Sequence, residues 1–225
     1  MTGPYHTGLT AATVIDAAVQ LTHDHGLYGW SVRDLGRELD VAPSVVYHHV
    51  GGRELLCREV VERVVADLGV PDADLAWDAW FREVLLSAHQ LLSDYPGTAK
   101  WLLMHGPVFE HLLPIVDTGM AVLQRDGFDD EAPWVYASLF NTVVLTLVGR
   151  DERSAHEDDG PRDHAAMMAD FTALSHGHPG VRDLADGALA PLVESTHDTA
   201  RLHREYVEFL VDSLIDGLRL RLTPV

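Results

Sequence analysis

The sequence predicts an all-α protein in two parts, and three observations lead to this prediction. Apolar residues recur at intervals of three and four through nearly the whole chain, and no segment has the two-residue period of a convincing strand. Clusters of glycine and proline interrupt this pattern at spacings typical of helix connections. One such cluster, Gly69-Val70-Pro71, follows a compact first group of helices. We therefore expect one domain over 1–69 and a second over 70–225.

Each helix is predicted from its apolar face and from the breakers that bound it. The predicted helices span 10–25, 32–39, 43–49, 52–68, 75–94, 97–105, 108–126, 131–149, 163–174, 181–192 and 197–222. The breakers between them are Gly26, Gly69–Pro71, Tyr95–Gly97, Gly106-Pro107, Gly127 and Gly160-Pro161. The second and third helices are separated by only a few residues, which is the pattern of a helix-turn-helix.

Local signals define both ends of this motif. Ser31 can cap the second helix, and Asp34 three residues later completes a capping box. Trp30 and Leu35 have the spacing of a hydrophobic staple across the same helix start. Pro43 fits the first turn of the third helix, where its missing N–H is not needed. The motif is therefore predicted from its caps as well as from its periodicity.

The third helix has one face for packing and one that is left free. Val46 and Val50 are four residues apart and can hold the helix onto its neighbour. The free face carries Ser44, Val45, Tyr47 and His48. A helix held in this way can place its N-terminal residues against base edges in the major groove of DNA.

The segment resembles the DNA-binding domain of the tetracycline-repressor (TetR) family. The resemblance covers Leu9–Ala18, Gly26–Leu39, Val41–Val50 and Arg53–Leu56. It implies that Arg33, Ser44, Val45 and Tyr47 contact bases. It implies phosphate contacts for Thr10, Pro43, Tyr47, His48, His49 and Arg53. A packing role is the alternative for Tyr47 and for His49.

The charge distribution limits the classes of partner. The chain has a net charge of −19, and residues 1–68 hold five Arg against nine Asp or Glu. Residues 43–50 contain neither Lys nor Arg, whereas a DNA-binding surface is usually basic. We therefore expect few phosphate contacts and a shallow salt dependence. The alternative is a helical small-molecule-binding protein of the same fold with weak or lost DNA binding.

Two helices of the second domain are predicted to form a homodimer. The helix near 131–149 is apolar nearly all round and must be covered on every side. The helix near 197–222 adds a seam of Val207, Leu210, Val211, Leu214, Leu218 and Leu222. Pairing of both helices with their symmetry mates would give a four-helix bundle, as in the TetR family. Such a dimer requires a palindromic operator.

The middle helices carry aromatic side chains and methionine, together with a few polar groups. This composition predicts a pocket for an apolar or aromatic effector. The predicted ligand-binding residues are Trp77, Phe81, His89, Trp101, Met104, His105, Phe109, Trp134 and Asn141. The stretches 91–100, 106–107 and 123–128 resemble the tetracycline repressor's own subgroup. However, the position of that subgroup's metal-chelating histidine falls near Leu102, so we expect a ligand other than tetracycline–magnesium.

Other classes of function have little support in the sequence. The residues His156, Asp158, Asp159, His164, His176 and His178 have irregular spacing, so no metal site and no cofactor are predicted. No nucleophile elbow, phosphate loop or paired-carboxylate motif is present, so we expect no enzymatic activity. The single Cys57 fits a small buried residue better than a redox sensor. With no signal peptide and no apolar run of membrane-spanning length, the expectation is a cytoplasmic protein without a membrane partner.

Overall fold

A computed structural model describes residues 9–106, 109–154, 156–157, 160–161, 164–189 and 199–222. The all-α fold is confirmed. The helices are α1 (Ala11–His25), α2 (Val32–Glu38), α3 (Pro43–Val50), α4 (Arg53–Val65), α5 (Trp77–Ser93), α6 (Thr98–His105), α7 (Leu113–Arg125), α8 (Ala132–Ser154), α9 (His164–Leu174), α10 (Pro179–Leu184) and α11 (Thr199–Leu222). The turns Glu110–Leu112 and Asp129–Glu131 are 3₁₀ helices, and Ala185–Leu189 is a π-helical turn.

The structure differs from the predicted helices mainly at their ends. The predicted helix 108–126 becomes a 3₁₀ turn followed by α7, because Phe109 is extended. The helix predicted over 131–149 continues to Ser154, since the charged run that follows it is also compatible with helix. Short parts of the predicted helices lie outside the described residues, namely residues 108, 163, 190–192 and 197–198. A two-residue antiparallel pair, His156–Glu157 with Gly160–Pro161, is too short to alter the fold class.

The first three helices pack around a common apolar core. Val14 of α1, Leu35 of α2 and Val46 of α3 are each completely buried, with Leu56 of α4 beneath them. The indole Nε1 of Trp30 donates a hydrogen bond of 3.0 Å to the hydroxyl of Thr22, so this buried donor is satisfied. This group of helices, residues 9–65, is called the reading head below.

Both capping boxes of the reading head are present. Thr10 and Thr13 cap α1 reciprocally, and Ser31 and Asp34 cap α2 as predicted. The Ser31 hydroxyl and its backbone N–H both donate to the Asp34 carboxylate, at 2.6 and 2.8 Å. These contacts satisfy N–H groups that a helix start leaves without partners.

The turn between α2 and α3 depends on a close backbone approach. The N–H of Val41 donates to the carbonyl of Gly36 at 2.8 Å. A Cβ at Gly36 would lie 2.8 Å from the carbonyl oxygen of Val41. Glycine is therefore required at this position, and it sets the distance at which α3 meets α2.

The chain divides into two compact units, one ending at residue 148 and the other starting at residue 149. The predicted domain boundary at residue 69 lies inside the first unit. There the reading head meets α5–α8, and Leu27 donates to the carbonyl of Pro96 at 2.8 Å. Trp80 and Phe81 of α5, Ile115 of α7 and Leu139 of α8 are among the completely or almost completely buried residues of this unit.

The second unit contains the end of α8, the helices α9 and α10, and α11. Ser175 and Ala185 are buried within it. One face of α11 is also buried, through Val207, Val211 and Ile215.

Candidate nucleic-acid interface and ligand cavity

The outer face of α3 is available to a partner, as the sequence predicts. Val46 is completely buried and anchors the helix, whereas Ser44, Val45 and His48 are exposed. Tyr47 has 44% of its surface exposed, so its ring is not a core residue of this chain. Hydroxyl, imidazole and aromatic groups on one side of a short helix can donate to and stack on nucleic-acid groups. We call this outer face the reading surface.

The predicted phosphate-binding residues flank the reading surface. Thr10 is exposed, and its hydroxyl caps α1 at 3.2 Å from the N–H of Thr13. Pro43 is the first residue of α3, and His49 in its last turn is half-buried. Arg33 on α2 is exposed. These positions remain predicted contacts.

Arg53 makes contacts inside the reading head that the sequence did not reveal. Its Nη2 donates to the carbonyl of Leu27 at 2.6 Å, and its guanidinium carbon lies 3.7 Å from the centre of the Trp30 ring. Its Nη1 is buried and has no hydrogen-bond partner among the described residues. The side chain thus stabilises the start of α4 by hydrogen bonding and by a cation–π contact. Its predicted phosphate contact stays a prediction.

Carboxylates reduce the positive charge of the reading head. Arg37 pairs with Asp34, and Arg63 pairs with Asp16 at 2.7 Å. The hydrogen bond from the Ser31 hydroxyl lowers the pKa of the Asp34 carboxyl, which holds this acid in its charged form. The arrangement agrees with the excess of acidic over basic residues in this part of the sequence.

A second feature of the same unit is a cavity of about 300 Å³. Its walls come from the end of α4 and from α5, α6, α7 and α8. The lining consists of Val65, Leu68, Ala88, Leu91, Leu92, Leu102, Leu103, Gly106, Leu112, Ile115, Val116, Tyr136, Ala137, Phe140, Asn141, Val143 and Val144. No side chain in this lining carries a charge.

Two lining residues can make polar contacts with an occupant. Tyr136 stacks on Phe140, with ring centres 4.6 Å apart, and burial raises the pKa of its phenol. The phenol is therefore neutral at physiological pH and can donate a hydrogen bond. Asn141, one turn further along α8, adds an amide.

Of the nine predicted ligand-binding residues, Asn141 alone is in this lining. Phe81 lies behind it, with its ring edge against Tyr136 at 5.7 Å. The buried residues Trp77, His89, Trp101 and Phe109 are elsewhere in the core, while Met104, His105 and Trp134 are exposed. Trp77 packs on Phe128, and Trp101 stacks on His105.

The aliphatic lining residues were missed because they have no distinguishing sequence pattern. A leucine facing a cavity and a leucine in a packed core occupy the same positions of an amphipathic helix. The sequence prediction gave weight to aromatic and polar residues, which here mostly fill the core or lie at the surface. Tyr136 is the residue that an aromatic signal could have identified.

Helix α4 connects the two features. Two residues separate its start from the end of α3. At its other end, Val65 in the last turn and Leu68 just beyond the helix line the cavity. Near its end, the Glu62 carboxylate accepts hydrogen bonds from Nδ1 of His111 at 2.5 Å and from the backbone N–H of His111 at 3.2 Å. His111 lies in the 3₁₀ turn before α7, adjacent to the lining residue Leu112.

Exposed apolar residues lie on the two helices predicted to form a dimer interface. On α8, Trp134 is 77% exposed and Leu145 lies on the same side of the helix. On α11, Phe209 is 66% and Leu220 75% exposed. The predicted seam residues Val207, Val211 and Leu218 are instead buried in this chain, so a partner would meet the opposite side of α11.

The structure places no metal-binding cluster in the part of the chain that it describes, where no three His, Cys, Asp or Glu side chains converge. Asp158 and Asp159, two of the residues considered in the sequence, lie outside the described residues. Cys57 is buried, as expected, and burial raises the pKa of its thiol.

Comparisons with known proteins agree with this geometry. Residues 14–60 match the family described as bacterial regulatory proteins, tetR family. The chain is 28% identical over 221 residues to the class D tetracycline repressor protein of Escherichia coli, covering 96% of this chain and 92% of the relative. It is 25% identical over 226 residues to the HTH-type transcriptional repressor DrrR1 of Streptomyces coeruleorubidus, covering 97% and 80%.

A solved structure gives the same fold. The TetR family protein ActR of Streptomyces coelicolor in complex with actinorhodin superposes with a TM-score of 0.68 at 20% identity. The match covers 94% of this chain and 97% of ActR.

Proposed function

We propose that this chain, whose residues 14–60 match the tetR family of bacterial regulatory proteins, is a ligand-responsive transcriptional repressor. It binds a palindromic operator as a homodimer and releases it when a small apolar or aromatic molecule occupies the cavity. The observation that carries this proposal is the position of α4, which runs from the exposed reading surface to the wall of an apolar cavity.

The reading surface supports DNA as the first partner. Val46 holds α3 on the reading head, and Pro43 and the capped α2 position its N-terminal half. Ser44, Val45 and Tyr47 would then contact bases, with Arg33 beside them on α2. Thr10, His48 and His49 would contact phosphates, as would the first turn of α4.

The cavity supports an uncharged effector. Its lining is aliphatic and aromatic, with the phenol of Tyr136 and the amide of Asn141 as polar side-chain groups. These groups can orient one carbonyl or hydroxyl of a ligand, while a charged ligand would lose its hydration without compensation. The class D tetracycline repressor protein, to which the chain is similar over most of its length, is named for a small molecule, and this supports a small-molecule effector here.

A homodimer would cover the exposed apolar residues of α8 and α11. Trp134 and Leu145 of α8, in the first unit, are exposed, as are Tyr206, Phe209 and Leu220 of α11, in the second. Pairing of each helix with its own symmetry mate would bury them. Contrary to the expectation from the sequence, the stretch Asp129–Arg153 has the length and hydropathy of a membrane span. Its residues Val135, Leu139 and Val143 are buried. We propose that a second copy of the chain, and not a membrane, covers its exposed side.

The second candidate is a small-molecule-binding protein of the same fold that binds DNA weakly or not at all. It is favoured by the absence of Lys and Arg from α3 and by the excess of acidic residues in the reading head. Both candidates use the cavity, and neither includes an enzymatic activity.

Selection of duplexes from a random-sequence library by the full-length protein separates the two. We expect enrichment of a palindrome, followed by saturable binding in an anisotropy titration with a shallow dependence on salt. Failure to enrich any duplex, even at low salt, would contradict the repressor and favour the second candidate.

A further inference from the structure

We propose that Glu62 and His111 form the contact through which occupancy of the cavity moves α4. The inference concerns regulation of the cavity and rests on the proposed function for its effect on DNA. It begins from the two hydrogen bonds that one carboxylate of α4 accepts from a residue next to α7.

Both residues of the contact are close in sequence to residues that line the cavity. Val65, one turn after Glu62, lines the cavity from α4. Leu112, the next residue after His111, lines it from the opposite segment, and α7 continues that wall through Ile115 and Val116. The hydrogen bonds therefore join two neighbouring segments of the cavity lining, and in our proposal an occupant pushes these segments apart.

Polar bonds and apolar contacts respond differently to such a separation. The apolar walls can move by some tenths of an ångström at little cost, because dispersion contacts are individually weak and have no preferred direction. A hydrogen bond of 2.5 Å between Glu62 and His111 weakens steeply as its atoms part. The pair thus favours the arrangement in which α4 and the 3₁₀ turn before α7 stay close together.

Among the described residues around His111, Glu62 is the hydrogen-bonding partner of its side chain. The 3₁₀ turn packs against α4 and α7. The other charged groups on these helices are Arg53, Glu54, Arg58, Glu59, Arg63, Asp117 and Arg125. Among the described residues, Arg63 pairs with Asp16 and Arg125 with Asp126, whereas the side chain of His111 bonds to Glu62.

The consequence for regulation follows from the position of α4. Its first turn is held by Arg53 against Leu27 and Trp30, which links α4 to the segment between α1 and α2. An occupant that opens the Glu62–His111 contact would displace the end of α4 and, through it, the reading surface. Loss of the contact should make this opened arrangement more populated without any ligand.

The test uses the full-length protein with N-phenyl-1-naphthylamine, an uncharged fluorescent probe suited to an apolar cavity. E62A should bind the probe about two- to fivefold more tightly than the wild type, the range for a partly exposed ion pair. E62Q keeps an acceptor oxygen for the backbone N–H of His111. Its affinity for the probe should therefore lie between those of E62A and the wild type. E59A is the matched control, since Glu59 is an exposed residue of the same helix, and it should bind as the wild type does.

If the pair only stabilised the fold, the E62A substitution would change the probe affinity in the opposite direction. Damage to the cavity wall would weaken probe binding by E62A, and a non-specific charge effect would change E62A and E59A equally. Either result overturns the inference, as does absence of probe binding by the wild type.

With a selected duplex, the probe should release E62A from DNA at a lower concentration than it releases E59A. If the wild type selects no duplex, the proposed function fails, while the probe affinities still decide the role of the pair.

Discussion

The reading head and the cavity wall belong to the same compact unit, but different interactions hold them in place. The head combines a fully buried apolar core with directional bonds, which include two capping boxes, the Trp30–Thr22 hydrogen bond and the contacts of Arg53. The cavity wall is held almost entirely by apolar packing, with Glu62–His111 as a polar contact at its edge. A DNA-reading surface needs fixed geometry, whereas a wall that accepts a ligand needs freedom to move.

The largest expected effect on stability comes from truncating one apolar side chain in each region and comparing the two losses. L35A removes a completely buried side chain from the head and should lower the free energy of unfolding by about 2–5 kcal/mol. V116A shortens a half-buried residue that already borders empty space and should cost about 1 kcal/mol. Urea unfolding followed by circular dichroism measures both, and equal losses would remove the distinction.

The reading surface can be altered without disturbing the wall. Y47A should weaken binding to the selected duplex by about 1–3 kcal/mol, because it removes an exposed ring from the centre of the proposed contact face. Binding of N-phenyl-1-naphthylamine and the unfolding midpoint should stay at wild-type values. L174A, which removes an exposed apolar side chain from α9, is the control. Equal DNA affinities for the two variants would exclude Tyr47 from the interface.

A directional bond of the head can also be removed alone. T22V leaves the buried Nε1 of Trp30 without its acceptor and should destabilise the protein by about 1–3 kcal/mol. T146V is the matched change on α8, where the hydroxyl also bonds one turn back along its own helix. Thermal unfolding should show a clearly larger decrease for T22V, and similar decreases would mean that the Trp30 bond contributes little.

The smallest expected effect concerns the cap of α2. The pKa of Asp34 is lowered in the folded chain, chiefly by the Ser31 hydroxyl, so its contribution to stability is present above the unfolded pKa, near 3.8. That contribution is lost as the pH falls through the folded value. D34N should therefore be less stable than the wild type at pH 7, and the difference should shrink as the pH falls below 3.8. A stability difference that does not change with pH would contradict this role of the carboxylate.

The same contrast explains what the sequence could predict. Caps and turns depend on particular residue types, so Ser31, Asp34 and Pro43 predicted the start of α2 and α3 correctly. The face of α3 followed from the spacing of Val46 within it. The lining of the cavity depends on how five helices meet, which no local pattern specifies. The inward side chain of Arg53 was missed for a related reason, since its partners Leu27 and Trp30 are more than twenty residues away in sequence.

The close approach at Gly36 has a consequence for engineering this protein. Because a Cβ there would collide with the carbonyl of Val41, any substitution would push α3 outward and shift every side chain that it presents. A library designed to change operator preference can therefore vary Ser44, Val45 and Tyr47 together, since all three are exposed. It should leave Gly36 constant, so that differences between variants report side-chain chemistry and not a displaced helix.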